Sequence, residues 1–269
     1  MRGVHCFLCI INVEVVLLRS EFEWLLDRTL SPNLFKDYAP NGLQVEGKAE
    51  IKRVVTGVTA CQALIEAAID YQADAIFVHH GYFWKNEAPQ IVGMKYRRIS
   101  ALIKNDINLY GYHLPLDAHP VLGNNAGLAD AIGLTDRSSL QPSLPLEQSI
   151  GLIGCLDKPL DANAFKALVE QAVQRDILFE VVNEKAIHKV ALCTGGAQGY
   201  IEQAAELGAD VFITGEVSEQ TIHIAREMDI HFIAAGHHAT ERFGAQAMAE
   251  FLSSEHGLEA IFIDIDSPA

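Results

Sequence analysis

Short apolar runs of strand-forming residues alternate along this chain with longer segments in which apolar residues recur every three or four positions. Two runs, residues 75–78 and 211–213, follow an aspartate and end abruptly at polar residues. Each is typical of a buried parallel strand. His79 and His80 follow the first run, and Glu216 lies just beyond the second. Because α/β proteins place their sites at the carboxyl ends of strands, we expect these ends to meet.

The same periodicities predict the remaining elements. Helices are predicted at residues 19–30, 62–71, 96–105, 125–134, 163–174 and 244–253. Strands are predicted at residues 53–59, 75–78, 106–113, 230–235 and 260–265. Residues 37–47, with the turn sequence Pro40-Asn41-Gly42, are predicted to form a loop. Strands that alternate with helices predict an α/β fold built on parallel sheets.

An internal repeat is the strongest evidence for how the chain is organised. When the chain is shifted so that Ile51 lies on Ile187, residues 51–81 align with residues 187–217 without a gap. Identities fall at Ile51/Ile187, Val54/Val190, Gln62/Gln198, Ile65/Ile201, Glu66/Glu202, Ala68/Ala204, Ala73/Ala209 and Asp74/Asp210. Chance similarity between two βαβ units is the alternative. The repeat predicts two related α/β lobes that face each other.

The repeat and the composition of the connecting segments suggest domain boundaries. We expect a first α/β lobe at residues 17–134 and a second at residues 187–269, packed on the first. Between them, residues 135–186 are predicted to form a linker and a small inserted α/β segment. Residues 1–16 are expected to be an extension outside the fold, as a misassigned start codon would produce.

The apolar stretch at residues 4–18 is too short for a membrane-spanning helix, which needs about 20 apolar residues. No small-residue cleavage site follows it, so it matches a signal peptide poorly. We therefore expect a cytoplasmic protein without a membrane segment.

Charge and cysteine content narrow the function classes. The net charge of −15, from 20 basic and 35 acidic residues, disfavours nucleic acid as a partner. Five cysteines, odd in number and scattered, fit a reducing compartment. Cys6 and Cys9 form a lone CxxC without a second pair, and Cys193 is expected to be a buried thiol rather than a nucleophile.

Imidazole and carboxylate side chains follow four predicted strands. They are His79, His80, His113, Asp117, Glu216, His237, His238 and Glu241. Such residues are typical ligands of zinc, manganese or iron, and the absence of cysteine among them argues against a closed structural zinc site. His237 and Glu241 are four positions apart and would share one face of a helix. Two such groups suggest two ions that share a bridging carboxylate and a water.

Each of these residues also has an ordinary structural interpretation. His113 alone is most simply a hydrogen-bonded polar residue, and Asp117 alone a turn residue. His119 and His223 are interpreted in that way, as are His5, His188, His231 and His256. The metal hypothesis depends on the convergence of four strand ends.

Five segments resemble those of the YbgI or Nif-three-like family, whose members are often called GTP cyclohydrolase I type 2 homologs. They are residues 38–47, 78–84, 112–117, 213–217 and 236–242. The similarity covers residues 17–269, and the extension before Leu17 departs from it. The resemblance implies two related α/β lobes, a dinuclear metal centre and a ring-shaped homohexamer.

The resemblance also implies a ligand set. By motif match the metal ligands are His79, His80, Asp117, His237 and Glu241, with Glu241 as the bridge. His113 and Glu216 match positions near the centre and are the candidate catalytic residues. The metal, whether zinc, iron or manganese, stays open.

Two divalent ions can lower the pKa of a bridging water to about neutrality. Hydrolysis of a cyclic amidine, an amide or a nucleotide-like small molecule would follow, with His113 or Glu216 as proton shuttle. The chain has no GxxxxGK(S/T) loop and no basic cluster for a triphosphate, so GTP as substrate rests on the family name. The alternative is a non-enzymatic metal-carrying or insertion factor, or a partner-binding scaffold.

Overall fold

The computed structural model describes residues 15–269. Cys6, Cys9 and His5 lie outside the described residues, as does the predicted extension apart from Val15 and Val16. Among residues 15–269, no helix combines the length and the apolar character needed to cross a membrane.

Thirteen strands and ten α-helices are found in the described part of the chain. The strands are β1 (Leu17–Leu18), β2 (Gly42–Val45), β3 (Glu50–Ile51), β4 (Arg53–Thr59), β5 (Ala75–His80), β6 (Asn108–Gly111), β7 (Thr135–Ser139), β8 (Leu152–Leu160), β9 (Leu178–Glu180), β10 (Ile187–Leu192), β11 (Val211–Thr214), β12 (His231–Ala234) and β13 (Glu259–Phe262). The helices are α1 (Arg19–Leu30), α2 (Gln62–Asp70), α3 (Gly93–Lys104), α4 (Leu114–Ala118), α5 (Asn124–Ala131), α6 (Ala162–Val173), α7 (Ile201–Glu206), α8 (Glu219–Glu227), α9 (His237–Thr240) and α10 (Arg242–Ser254). This confirms the predicted α/β fold class.

The first large sheet has five strands in the order β13-β4-β5-β6-β2. Its first four strands are parallel, and β2 joins the edge antiparallel to β6. Alternate residues of β5 face opposite sides, as the two-residue period of a strand requires. Ile76 and Val78 pack with α2 and α3, whereas Ala75 and Phe77 pack with α1 and α10. The central strands are therefore covered on both faces.

The second large sheet has six strands in the order β7-β8-β10-β11-β12-β9. Its centre, β10-β11-β12, is parallel, and the flanking strands pair antiparallel. Val211 and Ile213 of β11 pack with α5 and α6, and Phe212 packs with α7 and α8. Both sheets thus repeat a β-α-β-α-β arrangement around a parallel centre.

Equivalent residues of the two halves make the same contacts. Asp74 Oδ2 accepts hydrogen bonds from the backbone N–H groups of Lys52 and Arg53, at 3.0 and 2.9 Å. Asp210 Oδ2 accepts them from the backbone N–H groups of His188 and Lys189, at 2.9 and 2.7 Å. The strand registers also correspond, since the Val54–Ala75 pair has its counterpart in the Val190–Val211 pair. This correspondence supports the predicted duplication.

Four strands differ from the sequence prediction. β13, grouped with the second lobe, pairs in parallel with β4 of the five-stranded sheet, because α10 packs against that sheet and returns the chain to its open edge. The predicted linker contains β7, an edge strand whose polar, half-exposed residues lack an apolar pattern. β8 and β9 of the predicted insert join opposite sides of the six-stranded sheet. The predicted domain boundaries remain a proposal.

Candidate metal centre

The carboxyl ends of strands from both sheets converge on one buried site. His79 and His80 end β5, and His113 follows β6 immediately before α4, which carries Asp117. His237 begins α9 after β12. The loops expected from sequence to meet do so.

Glu241, between α9 and α10, lies at the centre of the cluster. Its Oε1 lies 3.3 Å from His79 Nε2. Its Oε2 lies 3.2 Å from His80 Nε2 and 3.2 Å from His237 Nε2. Asp117 Oδ1 approaches His79 Nε2 at 3.5 Å. The two carboxylate oxygens of Glu241 therefore face different imidazoles, Oε1 that of His79 and Oε2 those of His80 and His237.

Three overlapping groups could each hold an ion, with all ligand atoms of a group within 4.8 Å of one another. They are His79/Asp117/Glu241, His80/His237/Glu241 and His79/His80/His113. All five residues expected as ligands, together with His113, thus lie in one cluster.

The outer nitrogens of two histidines are already used. His79 Nδ1 lies 3.2 Å from the carbonyl oxygen of Tyr112, and His80 Nδ1 lies 3.2 Å from Thr59 Oγ1. A carbonyl only accepts, so in neutral His79 the proton sits on Nδ1 and the Nε2 lone pair faces the cluster. Metal-binding histidines are commonly oriented in this way.

Carboxylates orient the other two histidines. His113 Nδ1 lies 2.7 Å from Asp37 Oδ1, and His237 Nδ1 lies 2.7 Å from Glu216 Oε1. The Asp37 side chain is 4% exposed, whereas that of Glu216 is 48% exposed. Glu216 therefore contacts a candidate ligand from the solvent side.

Two buried atoms at the centre make no hydrogen bond within residues 15–269. They are His79 Nε2 and Glu241 Oε2. Buried polar atoms without a partner are costly, and a cation between them would satisfy both. The donor set, the orientation of the imidazoles and these two atoms all fit divalent metal ions.

The pKa values of the buried candidate ligands reflect their neighbours. Burial opposes protonation of His79, but Asp117 and Glu241 outweigh it and raise its pKa to about 9. Burial raises the pKa of Asp117. Burial also acts to raise the pKa of Glu241, yet His79, His80 and His237 hold it well below the ordinary value. Glu241 is therefore already ionised, as a metal ligand must be.

His80 and His237 differ from each other in charge. Burial, aided by the neighbouring histidines and against the pull of Glu241, lowers the pKa of His80 to about 3. The adjacent carboxylate of Glu241, against burial and with help from Glu216, raises the pKa of His237 to about 9. His80 is thus neutral at pH 7, whereas His79 and His237 would release protons when a metal binds.

Several residues that support the site carried no clear signal in the sequence. Asn124 Nδ2 and Thr194 Oγ1 donate to Asp117 Oδ1 at 2.9 and 3.3 Å. A Cβ on Gly195, whose φ is +69°, would lie 2.1 Å from Glu241 Oε1. Asp37 was visible only as the first residue of a predicted loop. Their roles arise from contacts between distant parts of the chain.

Other candidates lie outside the cluster. His238 Nε2 contacts Asp264 Oδ1 at 2.8 Å, and His119 Nδ1 accepts from the N–H of Leu122 at 2.9 Å. Cys193 is buried, its Sγ lies 2.9 Å from the carbonyl oxygen of Ile150, and burial raises the pKa of its thiol well above the ordinary value. A neutral thiol is a poor nucleophile.

Two cavities reach the cluster and share His80 and His237 in their walls. The larger, about 530 Å³, is lined by three aromatic side chains, Tyr38, Trp84 and Tyr200, together with His80, His113, Asp117, His237 and Glu241. The other, about 430 Å³, lies against the C-terminal segment that ends at Ala269. A small molecule could therefore reach the candidate metal site.

The fold and the site define an α/β protein with a buried histidine–carboxylate cluster between two sheets. The Duf34/NIF3 (NGG1p interacting factor 3) family matches residues 17–268, and the chain belongs to this family. This confirms the Nif-three-like resemblance found in the sequence.

Named relatives and solved structures agree with this assignment. A protein of Haemophilus influenzae called GTP cyclohydrolase 1 type 2 homolog is 56% identical over 250 residues, 93% of this chain and 98% of the relative. The structure of protein ybgI has a TM-score of 0.89 and 49% identity, covering 94% of this chain and 100% of that one. That of TTHA1606 from Thermus thermophilus has a TM-score of 0.82 and 32% identity, covering 94% and 99%.

Proposed function

We propose that this protein binds two divalent metal ions per chain and hydrolyses a small molecule with a cyclic amide, cyclic amidine or nucleotide-like group. The observation that carries this proposal is the position of Glu241, whose Oε1 faces His79 and whose Oε2 faces His80 and His237. A carboxylate placed in this way suits a bridge between two ions.

Each ion has its own ligand group in this proposal. His79, Asp117 and Glu241 would hold the first, and His80, His237 and Glu241 the second. The set contains imidazole and carboxylate only, so zinc, iron and manganese are all compatible with it.

When bound, two divalent ions lower the pKa of a water molecule and polarise the bond that it attacks. In hydrolysis of a cyclic amide, the water oxygen bonds to the carbonyl carbon, the C–N bond breaks and the nitrogen takes up a proton. His113 suits the proton transfer because Asp37 holds its Nδ1, leaving Nε2 for the cavity. Glu216, the other candidate, contacts His237 and is the more exposed group.

A metal-carrying or insertion factor is the second candidate. The observation that favours it is the accessibility of His237, whose side chain is 29% exposed and lies in the walls of both cavities. An ion held there could be exchanged without unfolding the site.

A homohexamer and a cytoplasmic location are also proposed. The first rests on the family resemblance. Exposed apolar side chains at Ile91, Val92, Met94 and Tyr96 support a covering copy of the chain. The second rests on the scattered cysteines.

Elemental analysis of the purified protein tests the metal proposal. We expect about two ions per chain in the wild type, and loss of both in Glu241→Ala because both groups lose a ligand. His80→Ala should lose the second ion preferentially. Glu206→Ala, which changes an exposed carboxylate on α7, should retain the metal content of the wild type.

Turnover of cyclic amides, nucleosides and nucleotides, measured on the same samples, separates the two candidate functions. Hydrolysis that disappears with the metal in Glu241→Ala supports the enzyme. Two ions without turnover on these substrates would favour metal delivery, and wild-type protein that binds no divalent ion would overturn both.

A further inference from the structure

Trp84 and Tyr38 stand beside the histidines at the mouth of the larger cavity. The ring centroids of Trp84 and His113 are 5.0 Å apart, with planes at 79°. The ring of Trp84 lies 5.8 Å from that of His80, and the ring of Tyr38 lies 6.2 Å from that of His113. A flat molecule against these rings would have its edge next to the candidate metal ligands.

The two aromatic residues are held in place before any ligand binds. Phe83, with a φ of +65°, and Trp84 both donate their backbone N–H groups to Glu87 Oε2, at 2.8 and 3.2 Å. Lys85 N–H donates to the carbonyl of Tyr38 at 2.7 Å and so joins the two loops. Preorganised loops lose little entropy on binding.

Trp84 offers the cavity an aromatic surface rather than a hydrogen bond. Its Nε1–H already donates to the carbonyl oxygen of Gly81 at 3.2 Å. Stacking on aromatic side chains is tolerant of ring identity, since every base has a π face.

Lys and Arg, the side chains that usually bind a phosphate chain, are absent from the walls of both cavities among the described residues. Arg242, next to Glu241, donates to Asp264 Oδ2 at 3.0 Å and to the carbonyl oxygen of Val173 at 2.8 Å. Four carboxylates would balance the charge of two divalent ions. They are Asp117 and Glu241 in the cluster, and Asp37 and Glu216, which contact His113 and His237. With a net charge of −15, the chain would also repel a polyanion.

We propose that this site takes a planar, uncharged nitrogen heteroaromatic ring, recognised by stacking on Trp84 and Tyr38, and that phosphate groups contribute nothing to its binding. This inference rests on the proposed function, because it names the substrate class of the same site. The ring itself would carry the C–N bond to be hydrolysed, since its edge is the part that reaches the histidines.

The chain's two tryptophans allow a direct binding test. Trp24 lies on α1 beside Leu17, Ser20 and Leu25 and outside both cavities, so Trp24→Phe leaves Trp84 as the only tryptophan. Zinc-loaded Trp24→Phe, its metal content verified, is titrated with guanosine and adenosine, and the quenching of Trp84 fluorescence is recorded. GTP and inorganic triphosphate are added as magnesium complexes so that they do not remove the zinc.

We expect saturable quenching by a nucleoside, GTP affinity within about threefold of that of guanosine, and no displacement of guanosine by triphosphate. In calorimetry, Trp84→Ala should bind the nucleoside at least about tenfold more weakly, the loss expected for one stacking partner. Trp84→Phe, which keeps an aromatic ring, should restore most of the affinity. Tyr38→Ala, at a residue 61% exposed, gives a second variant with little risk to folding.

Displacement by triphosphate, or GTP binding more than tenfold tighter than guanosine, would overturn the proposal, because phosphate would then be recognised. Zinc-loaded protein that binds neither nucleoside would also overturn the stacking proposal, but it would not contradict the proposed metal centre. Failure of the proposed metal function would show separately, as absence of bound zinc before any ligand is added.

Discussion

Two carboxylates, Asp37 and Glu216, contact the outer nitrogens of His113 and His237 at the same distance of 2.7 Å. Their surroundings differ. Asp37 also accepts from Asn41 Nδ2 and from the N–H of Leu114, both at 2.9 Å, and burial of its carboxylate is outweighed by His113 and Asn41, which lower its pKa. Glu216 is half-exposed. Similar contacts can therefore serve different roles.

Replacing each carboxylate by its amide should separate those roles. Glu216→Gln is expected to weaken metal affinity about tenfold, because His237 loses the partner that fixes its orientation. Asp37→Asn should leave both ions bound and lower turnover about 100-fold, because His113 loses its orientation for proton transfer. Chelator competition and kcat on the substrate found by screening measure the two effects. An Asp37→Asn protein that loses an ion would make His113 a ligand instead.

Among single residues, the sequence indicated the candidate ligands but not the side chains that contact them. His79, His80 and Glu241 stood out because imidazoles and carboxylates follow strands. Asp37 and Thr194 did not, because each acquires its role from a partner 76 or 77 positions away. A single sequence carries no marker of such a contact.

Among the elements, the two parallel strand pairs β4–β5 and β10–β11 have the same arrangement of aspartate-to-backbone hydrogen bonds. Asp74 binds the successive backbone N–H groups of Lys52 and Arg53, just before and at the start of β4, and Asp210 binds those of His188 and Lys189 in β10. Asp74 also accepts from Lys48 Nζ at 2.6 Å. Burial acts to raise the pKa of Asp74, but the N–H groups of Arg53 and Lys52 and the ammonium of Lys48 lower it overall.

Asp74→Ala should therefore destabilise the protein in a pH-dependent way. A carboxyl group with a lowered folded-state pKa stabilises the fold above its unfolded value of about 3.8, and this contribution is lost as the pH falls through the folded value. At pH 7 we expect a loss of about 1–3 kcal/mol in the free energy of unfolding, because two partly buried N–H groups lose their acceptor. Urea denaturation of wild type and variant at pH 7 and in steps below pH 4 measures it. A difference in unfolding free energy that is as large at the lowest pH as at pH 7 would contradict this account.

The elements that the sequence predicted well are those with a strong apolar period. β5 and β11 are buried on both faces and form short apolar runs. β7 was missed because an edge strand with polar, half-exposed residues has no such run. β13 was found as a strand and grouped with the second lobe, but it pairs with β4 of the five-stranded sheet, because an apolar pattern does not say which sheet edge is open.

For the whole molecule, the candidate metal centre lies where the two large sheets meet. His79 and His80 come from β5 of the five-stranded sheet, and His237 follows β12 of the six-stranded sheet. Glu241 precedes α10, whose Met248 and Leu252 pack in the core of the five-stranded sheet. Metal ions at this junction would join parts of the fold that also have cores of their own.

Removing the metal should therefore lower stability without abolishing the fold. A ligand that binds only the folded state at about 100 times its Kd adds about 2.7 kcal/mol, which for a chain of this size corresponds to a Tm shift of about 5–10 °C for each ion. We expect the Tm of chelated wild type to fall by about 5–10 °C for each ion removed. The far-UV circular dichroism spectrum should stay unchanged. Glu241→Ala should show no further drop on chelation, and Glu206→Ala should behave as the wild type does. Loss of the folded spectrum on chelation would instead identify a structural site, since a metal that the fold requires takes the fold with it.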